Sequence, residues 1–236
     1  MEAPSAFDAE LMRDEVAKVF RSLHPLSVDD VIRGQYIAGE ADGKKWLAYR
    51  EEKGVEADSV AETYVAMRFY IDNWRWGGVP FYFYTGKRMV KTKSEIIINF
   101  KNVPHHLFTG MCAYSSCNRL VLKVDSPESI SLKFGLKVPG SFFEVKQVSM
   151  DFAYDSLCNT YIANAYERLL LDAMQGDSTL YTRTDALELS WRFIDPILQE
   201  WAKNPEEGLI FYPAGSKGPE ERKRLLQHFM PDGDIL

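Results

Sequence analysis

Cysteine is scarce: Cys112, Cys117 and Cys158 are the only three, and no two form a Cys-x-x-Cys pair. An odd number without such a pair indicates neither a disulfide framework nor a zinc site, so a reducing, cytoplasmic setting is expected and no metal. No apolar run approaches the roughly 20 residues that span a bilayer. Residues 1–10 are polar and acidic, without a signal-peptide pattern. A surplus of positive charge is also missing. With 28 Lys and Arg against 34 Asp and Glu, the net charge is −6 and the pI about 5.4, which argues against a nucleic-acid footprint. Nor is there a Gly-x-Gly-x-x-Gly on a strand–turn–helix to hold a dinucleotide. Internal repeats, low-complexity tracts and interdomain linkers are all lacking.

The chain of 236 residues is 46% hydrophobic, enough to bury on the order of 70% of its unfolded surface. Its organising stretch is residues 70–89, YIDNWRWGGVPFYFYTGKRM. Phe81, Tyr82, Phe83 and Tyr84 are strand material. Gly77, Gly78 and Pro80 punctuate the chain before that strand, and Gly86 punctuates it afterwards. A half-buried strand thus delivers Lys87 to the loop at its end. Lys87, Arg88, Lys91 and Lys93 place four cations within seven residues of an acidic chain. A fixed strand end with local positive charge suits a small dianion such as a sugar phosphate; a solvated basic turn capping a sheet is the alternative.

Apolar spacing and a Ser5/Asp8 start predict an amphipathic helix over residues 8–23, stopped at Pro25. Residues 31–36 read as a strand ending in RGQY, residues 38–54 as a loop, and residues 61–72 as a long strand, favoured over a helix by β-branched and aromatic content. Further strands are expected at 95–100, 119–124, 129–134 and 148–154. Their connections are too short for helical crossovers, so the sheet should be antiparallel. Helices follow at 164–175 and from Thr184 to Trp201, the second kinked at Pro196, then a loop at 215–219 and a charged helix at 219–229. The fold class is α+β, with a large, mainly antiparallel sheet and helices packed on one face, in one domain of residues 1–236.

The run IDNWRWGGVPFYFYTGK, followed by strand 95–100 and KNVPHHLF, resembles the C-terminal half of glucose-6-phosphate dehydrogenase. MEAPSAFDAE with RDEVAKVFRSLHPL, VIRGQY, DSVAETYVAMRFYIDN, NAYERLLLDAMQGD and YPAGSKGP are similar to the same family, in its order and at about its spacing. The resemblance runs from Met1 to about Leu226. It implies an NADP-dependent oxidoreductase that converts glucose 6-phosphate to 6-phosphogluconolactone, the first step of the oxidative pentose phosphate pathway. In that family the nucleotide domain and the catalytic histidine with its aspartate precede the segment matched here, and Met1 corresponds to an internal position. The chain is therefore expected to be a piece of something longer and inactive alone. The alternative is a non-catalytic relative serving as a binding or oligomerisation module.

Residue by residue, the family's phosphate-anchoring lysine falls on Lys87. Its next substrate cation falls on Thr92, between Lys91 and Lys93, so Lys91 is a second substrate candidate. A glutamine that helps to bind the sugar phosphate is replaced by Asp125. For a structural NADP, the resemblance implies Lys93, Lys123, Lys133, Asp151 and Lys217, but the site's arginine is Ile97 here and its stacking tyrosine is Ser131. The histidines His24, His105, His106 and His228 occupy no family catalytic motif and are expected to have structural or surface roles. The family's large sheet forms its dimer interface, implying a homodimer or higher homo-oligomer here.

Overall fold

The computed structural model describes residues 3–41, 43–101, 118–125, 127–140, 145–154 and 164–226. The chain divides into two compact units, one of Met1–Val90 with Ala163–Leu236 and one of Lys91–Ile162. The α+β, mainly antiparallel architecture is as expected. Its strands, however, are shared between two four-stranded sheets and a two-stranded hairpin.

In the first unit, α1 (Ala9–Arg21) begins at Asp8, whose carboxylate accepts the N–H groups of Glu10 and Leu11 at 2.9 and 3.2 Å. Lys18 and Arg21 in its last turn complement the helix dipole. His24 thus lies beyond the helix rather than on it. Its Nδ1 sits 2.8 Å from Asp72, and both side chains are more than half exposed.

The central strand β1 (Val31–Ile37) is flanked by β4 (Tyr64–Phe69) antiparallel and β10 (Leu209–Pro213) parallel, with β5 (Phe81–Gly86) outside β4. The register places Ile32, Tyr36, Tyr64, Ala66 and Tyr212 on one face, where they form the core with Ala214 and Leu225. The loop expected over 38–54 contains a hairpin, β2 (Gly39–Ala41) and β3 (Lys44–Trp46), and a 3-10 turn at Tyr49–Glu51. Trp46 and Tyr49 pack against the core.

α2 (Ala165–Gln175) is bounded by an Asn164 cap, reciprocated by Glu167, and by left-handed Gly176. α3 (Thr184–Lys203) starts one residue before expectation places its interior: Arg183, not Thr184, is the cap, and it makes no side-chain cap bond. Asp185 instead accepts the N–H of Ala186 at 2.8 Å. α3 lies over the sheet face opposite the core, with Phe193 on Phe69 and Trp201 under Arg33. α4 (Arg222–Leu226) inserts Leu225 into the core face. No helix of the described residues is long and apolar enough to cross a membrane.

Ion pairs tie α1 to α3. Arg183 reaches Glu10 and Asp14 at 3.0 and 2.6 Å as well as Asp185, which Arg21 also meets. Arg183 chiefly holds the Asp185 carboxyl at about 2, below its ordinary 3.8. A carboxyl depressed by folding contributes stability above its unfolded pKa and loses that contribution as pH falls toward the folded value. The tie is therefore expected to weaken between about pH 4 and pH 2. Thermal melting of Asp185→Asn should fall below that of the parent at neutral pH and converge with it near pH 2; a constant gap across that range would refute the assignment.

In the second unit, β6 (Glu95–Asn99), β7 (Arg119–Lys123), β8 (Ser129–Lys137) and β9 (Val145–Ala153) form an antiparallel meander. Its register separates two faces. Ile96, Ile98, Leu120, Leu122, Met150 and Phe152 share one, and Lys123, Ser131, Lys133, Ser149 and Asp151 share the other.

Candidate functional site

The Lys87 turn is built on buried supports. β5 ends with Gly86 opposite Tyr64, and Lys87 donates its N–H to the Thr63 carbonyl at 2.8 Å. The Tyr212 hydroxyl donates to the Lys87 carbonyl at 2.8 Å and lies 3.1 Å from the Thr63 hydroxyl. Both polar groups of the lysine backbone are thereby fixed while its side chain is exposed. Among the described residues, no carboxylate pairs with Lys87. Gly86 is required here: a Cβ on it would meet the Tyr64 ring at 2.6 Å.

The same ring supports the loop carrying Lys217. A Cβ on Gly218, at φ 90°, would also approach Tyr64 to 2.6 Å. Backbone bonds from Gly215 to Arg88 at 2.7 Å and from Val90 to Ser216 at 2.8 Å join the two loops. The structure therefore brings Lys87 and Lys217 onto adjoining loops, a proximity that the sequence reading did not contain. Burial pushes the Tyr64 phenol up to about 12 against the opposing influence of Arg222.

The four cations of the cluster divide by role. Arg88 turns inward: its guanidinium lies 3.9 Å from the Trp46 ring centroid and donates to Glu52 at 2.9 Å. Arg88 in turn holds the Glu52 carboxyl below its ordinary range. Lys93 is paired with Glu95 at 2.6 Å. Lys87 and Lys91 remain exposed, Lys87 in the first unit and Lys91 as the first residue of the second. Trp46 and Glu52 were missed as contributors because residues 38–54 read as a loop. The Asp42–Gly43 dipeptide was the available hairpin signal.

Of the residues implied for a structural NADP, Lys123, Lys133 and Asp151 share the polar sheet face with Ile97 and Ser131. Asp151 accepts from Ser149 at 2.8 Å, and its carboxyl is held low by the Ser131 and Ser149 hydroxyls and by Lys133. These cations suit phosphate. Among the described residues of this face, however, no aromatic ring is present to stack a base, and Lys93 is already paired. The face fits an anion better than a whole dinucleotide. Asp125, at the end of β7, has a buried carboxylate oxygen with no hydrogen-bond partner among the described residues. No group of three or more His, Cys, Asp and Glu is gathered for a metal among them. His105, His106 and His228 lie outside the described residues.

The family model described as glucose-6-phosphate dehydrogenase, C-terminal domain, matches residues 1–230. The chain is 48% identical to glucose-6-phosphate 1-dehydrogenase of Aggregatibacter actinomycetemcomitans, over 96% of this chain and 46% of that protein. It is 45% identical to the Treponema pallidum enzyme of the same name, over 98% of this chain and 46% of that protein. A solved glucose-6-phosphate dehydrogenase in complex with its substrate glucose-6-phosphate superposes with TM-score 0.86 at 35% identity, covering 97% of this chain and 46% of that one. The chain thus spans about half the length of the relatives it matches. It belongs to the glucose-6-phosphate dehydrogenase family, as that family's C-terminal domain.

Proposed function

We propose that this chain supplies the substrate-phosphate anchor and assembly surface of an NADP-dependent, cytoplasmic glucose-6-phosphate dehydrogenase. The observation that carries this reading is the Lys87 turn, whose backbone is fixed at both polar groups while its cation stays exposed and free of carboxylates among the described residues. A preorganised ammonium facing a phosphate dianion gives a charge-assisted hydrogen bond without first breaking an ion pair. NADP accepts the hydride when bound, in the part of the dehydrogenase that this chain does not span. The contribution of this chain is to hold the phosphate and so orient the sugar. Lys91 is the second candidate that the family resemblance offers, and Thr92 and Asp125 stand where the family has a cation and a glutamine. Alone, the chain binds but does not oxidise.

Calorimetric titration with glucose 6-phosphate tests the anchor. Removing one such bond costs roughly 1.5–3 kcal/mol, so Lys87→Ala is expected to weaken binding by about 10- to 100-fold. Unchanged affinity would reject the anchor.

Assembly rests on the apolar face of the second unit, where Met150 is 63% and Ile96 53% exposed. Contiguous apolar surface of this kind is covered in stable proteins, here by a second copy of the chain. Sedimentation velocity should show a homodimer or larger species at micromolar concentration; a monomer across that range would remove this part of the reading.

A further inference from the structure

We propose that Arg88 is a positioning residue that locks the Lys87 turn, with Trp46 and Glu52 as its clamp; the inference rests on Lys87 as phosphate anchor. Arg88 is the one non-glycine residue with positive φ among the described residues, at 52°. A side chain persists in that region when its surroundings over-determine it. Here they do so at four points. The guanidinium lies 3.9 Å from the Trp46 ring centroid. Its Nη2 donates to Glu52 Oε1 at 2.9 Å. The Tyr36 hydroxyl donates to that same oxygen at 3.1 Å, holding the carboxylate in place. The Arg88 carbonyl accepts the Gly215 N–H at 2.7 Å.

With its face stacked and its carboxylate in place, the guanidinium is committed inward and is not a second anion ligand. The adjacent Lys87 carbonyl is held by Tyr212. Arg88 cannot leave the left-handed region without breaking its own clamp or pulling that carbonyl from the tyrosine. Lys44, 4.1 Å from the Trp46 ring centroid, adds a second cation–π contact to the same indole. The hairpin and 3-10 turn of residues 39–54 therefore buttress a binding loop far from them in sequence.

The test is calorimetric titration of the full chain with glucose 6-phosphate, comparing the parent with Lys87→Ala, Arg88→Gly, Trp46→Phe and the Lys87→Ala/Arg88→Gly pair. Arg88→Gly deletes the clamp while suiting the backbone, which separates positioning from folding. A misplacement near 1 Å can cost on the order of a hundredfold, and Arg88→Gly is expected to raise Kd about tenfold. Trp46→Phe, which keeps a ring under the guanidinium, should retain most of the affinity. In the Lys87→Ala background, Arg88→Gly should change nothing further, because the clamp acts only through the lysine. A purely structural role would lower Tm and leave Kd alone. Lost binding in Lys87→Ala with unchanged binding in Arg88→Gly overturns the clamp and spares the anchor. Additive losses in the pair also overturn it, making Arg88 a ligand in its own right. A parent chain that does not bind, or one indifferent to Lys87→Ala, overturns the anchor reading and the clamp with it.

Discussion

Arg33→Ala is expected to destabilise the first unit by about 3–5 kcal/mol, the cost of breaking a buried charge from its partners. The Arg33 side chain is 3% exposed, at the centre of the sheet. Nη1 donates to Glu62 at 2.8 Å, and Nη2 donates to the carbonyls of Pro205 and Glu207 at 2.7 and 2.6 Å. The guanidinium also stacks on Trp201, 5.0 Å from the ring centroid. A buried ion pair can often be replaced by apolar residues of equal volume, but three of the partners here are backbone carbonyls, that of Asn204 at 3.4 Å as well as those of Pro205 and Glu207. No substitution elsewhere can remove them, and an unsatisfied buried acceptor keeps its desolvation cost. Arg33→Met should therefore recover the packing and little of the stability. Arg33→Lys should recover little more, since an ammonium cannot reproduce the planar fork. Urea unfolding followed by tryptophan fluorescence reads the loss; a shift in Arg33→Ala below about 1 kcal/mol would mean that these bonds are not sustained in solution.

Gly39→Ala is the second large effect. A Cβ at that position would stand 2.1 Å from the Ala214 carbonyl oxygen and 2.7 Å from its nitrogen. These are backbone atoms, and the Ala214 N–H is already bonded to the Ile37 carbonyl at 3.0 Å. Flexible side chains can yield by a few tenths of an ångström, whereas this pair can separate only if β2 lifts away from the end of β10. Overpacking commonly costs 1–3 kcal/mol, and a backbone clash belongs at or above the upper end, about 3 kcal/mol. For a chain of this size that corresponds to a Tm lower by about 6–12 °C. Gly54→Ala is the control: at φ 85° with open space around it, it carries backbone strain alone, about 1–2 kcal/mol. Equal melting of the two variants would show that the hairpin end is looser than described. Because Gly39 pairs with Trp46, the same substitution should also loosen the clamp on Arg88.

Local pattern announces an element when the element's reasons are local. The alternation of β8 and β9, the aromatic run of β5 and the capped ends of α1 and α2 are of this kind, and each lies where the sequence places it within a few residues. β10 gives no such signal. It is five residues long, ends in Pro213, and owes its strand state to the parallel edge of β1, which no window around LIFYP contains. The site divides in the same way. Lys87 is legible because a strand end, a glycine and a cation are adjacent in sequence. The inward turn of Arg88 depends on its φ and on Trp46 and Glu52, which are brought to it by the fold and cannot be read beside it.

The parallel pairing of Arg33 with Leu209 and of Tyr36 with Tyr212 has a consequence for how the protein is made. Synthesis runs from the amino end, so β1, β4 and β5 leave the ribosome ahead of the second unit, and the whole of that unit follows before β10 exists. During that interval β1 has one open edge, and Arg33 lacks the carbonyls that later receive it. An unpaired strand of buried, β-branched character is a template for pairing with other nascent chains, and its closure must wait for a contact that is long-range in sequence. The second unit, contiguous in sequence, carries no such delay. The vulnerable window in the birth of this chain is therefore set by everything translated between β5 and β10, the second unit together with α2 and α3.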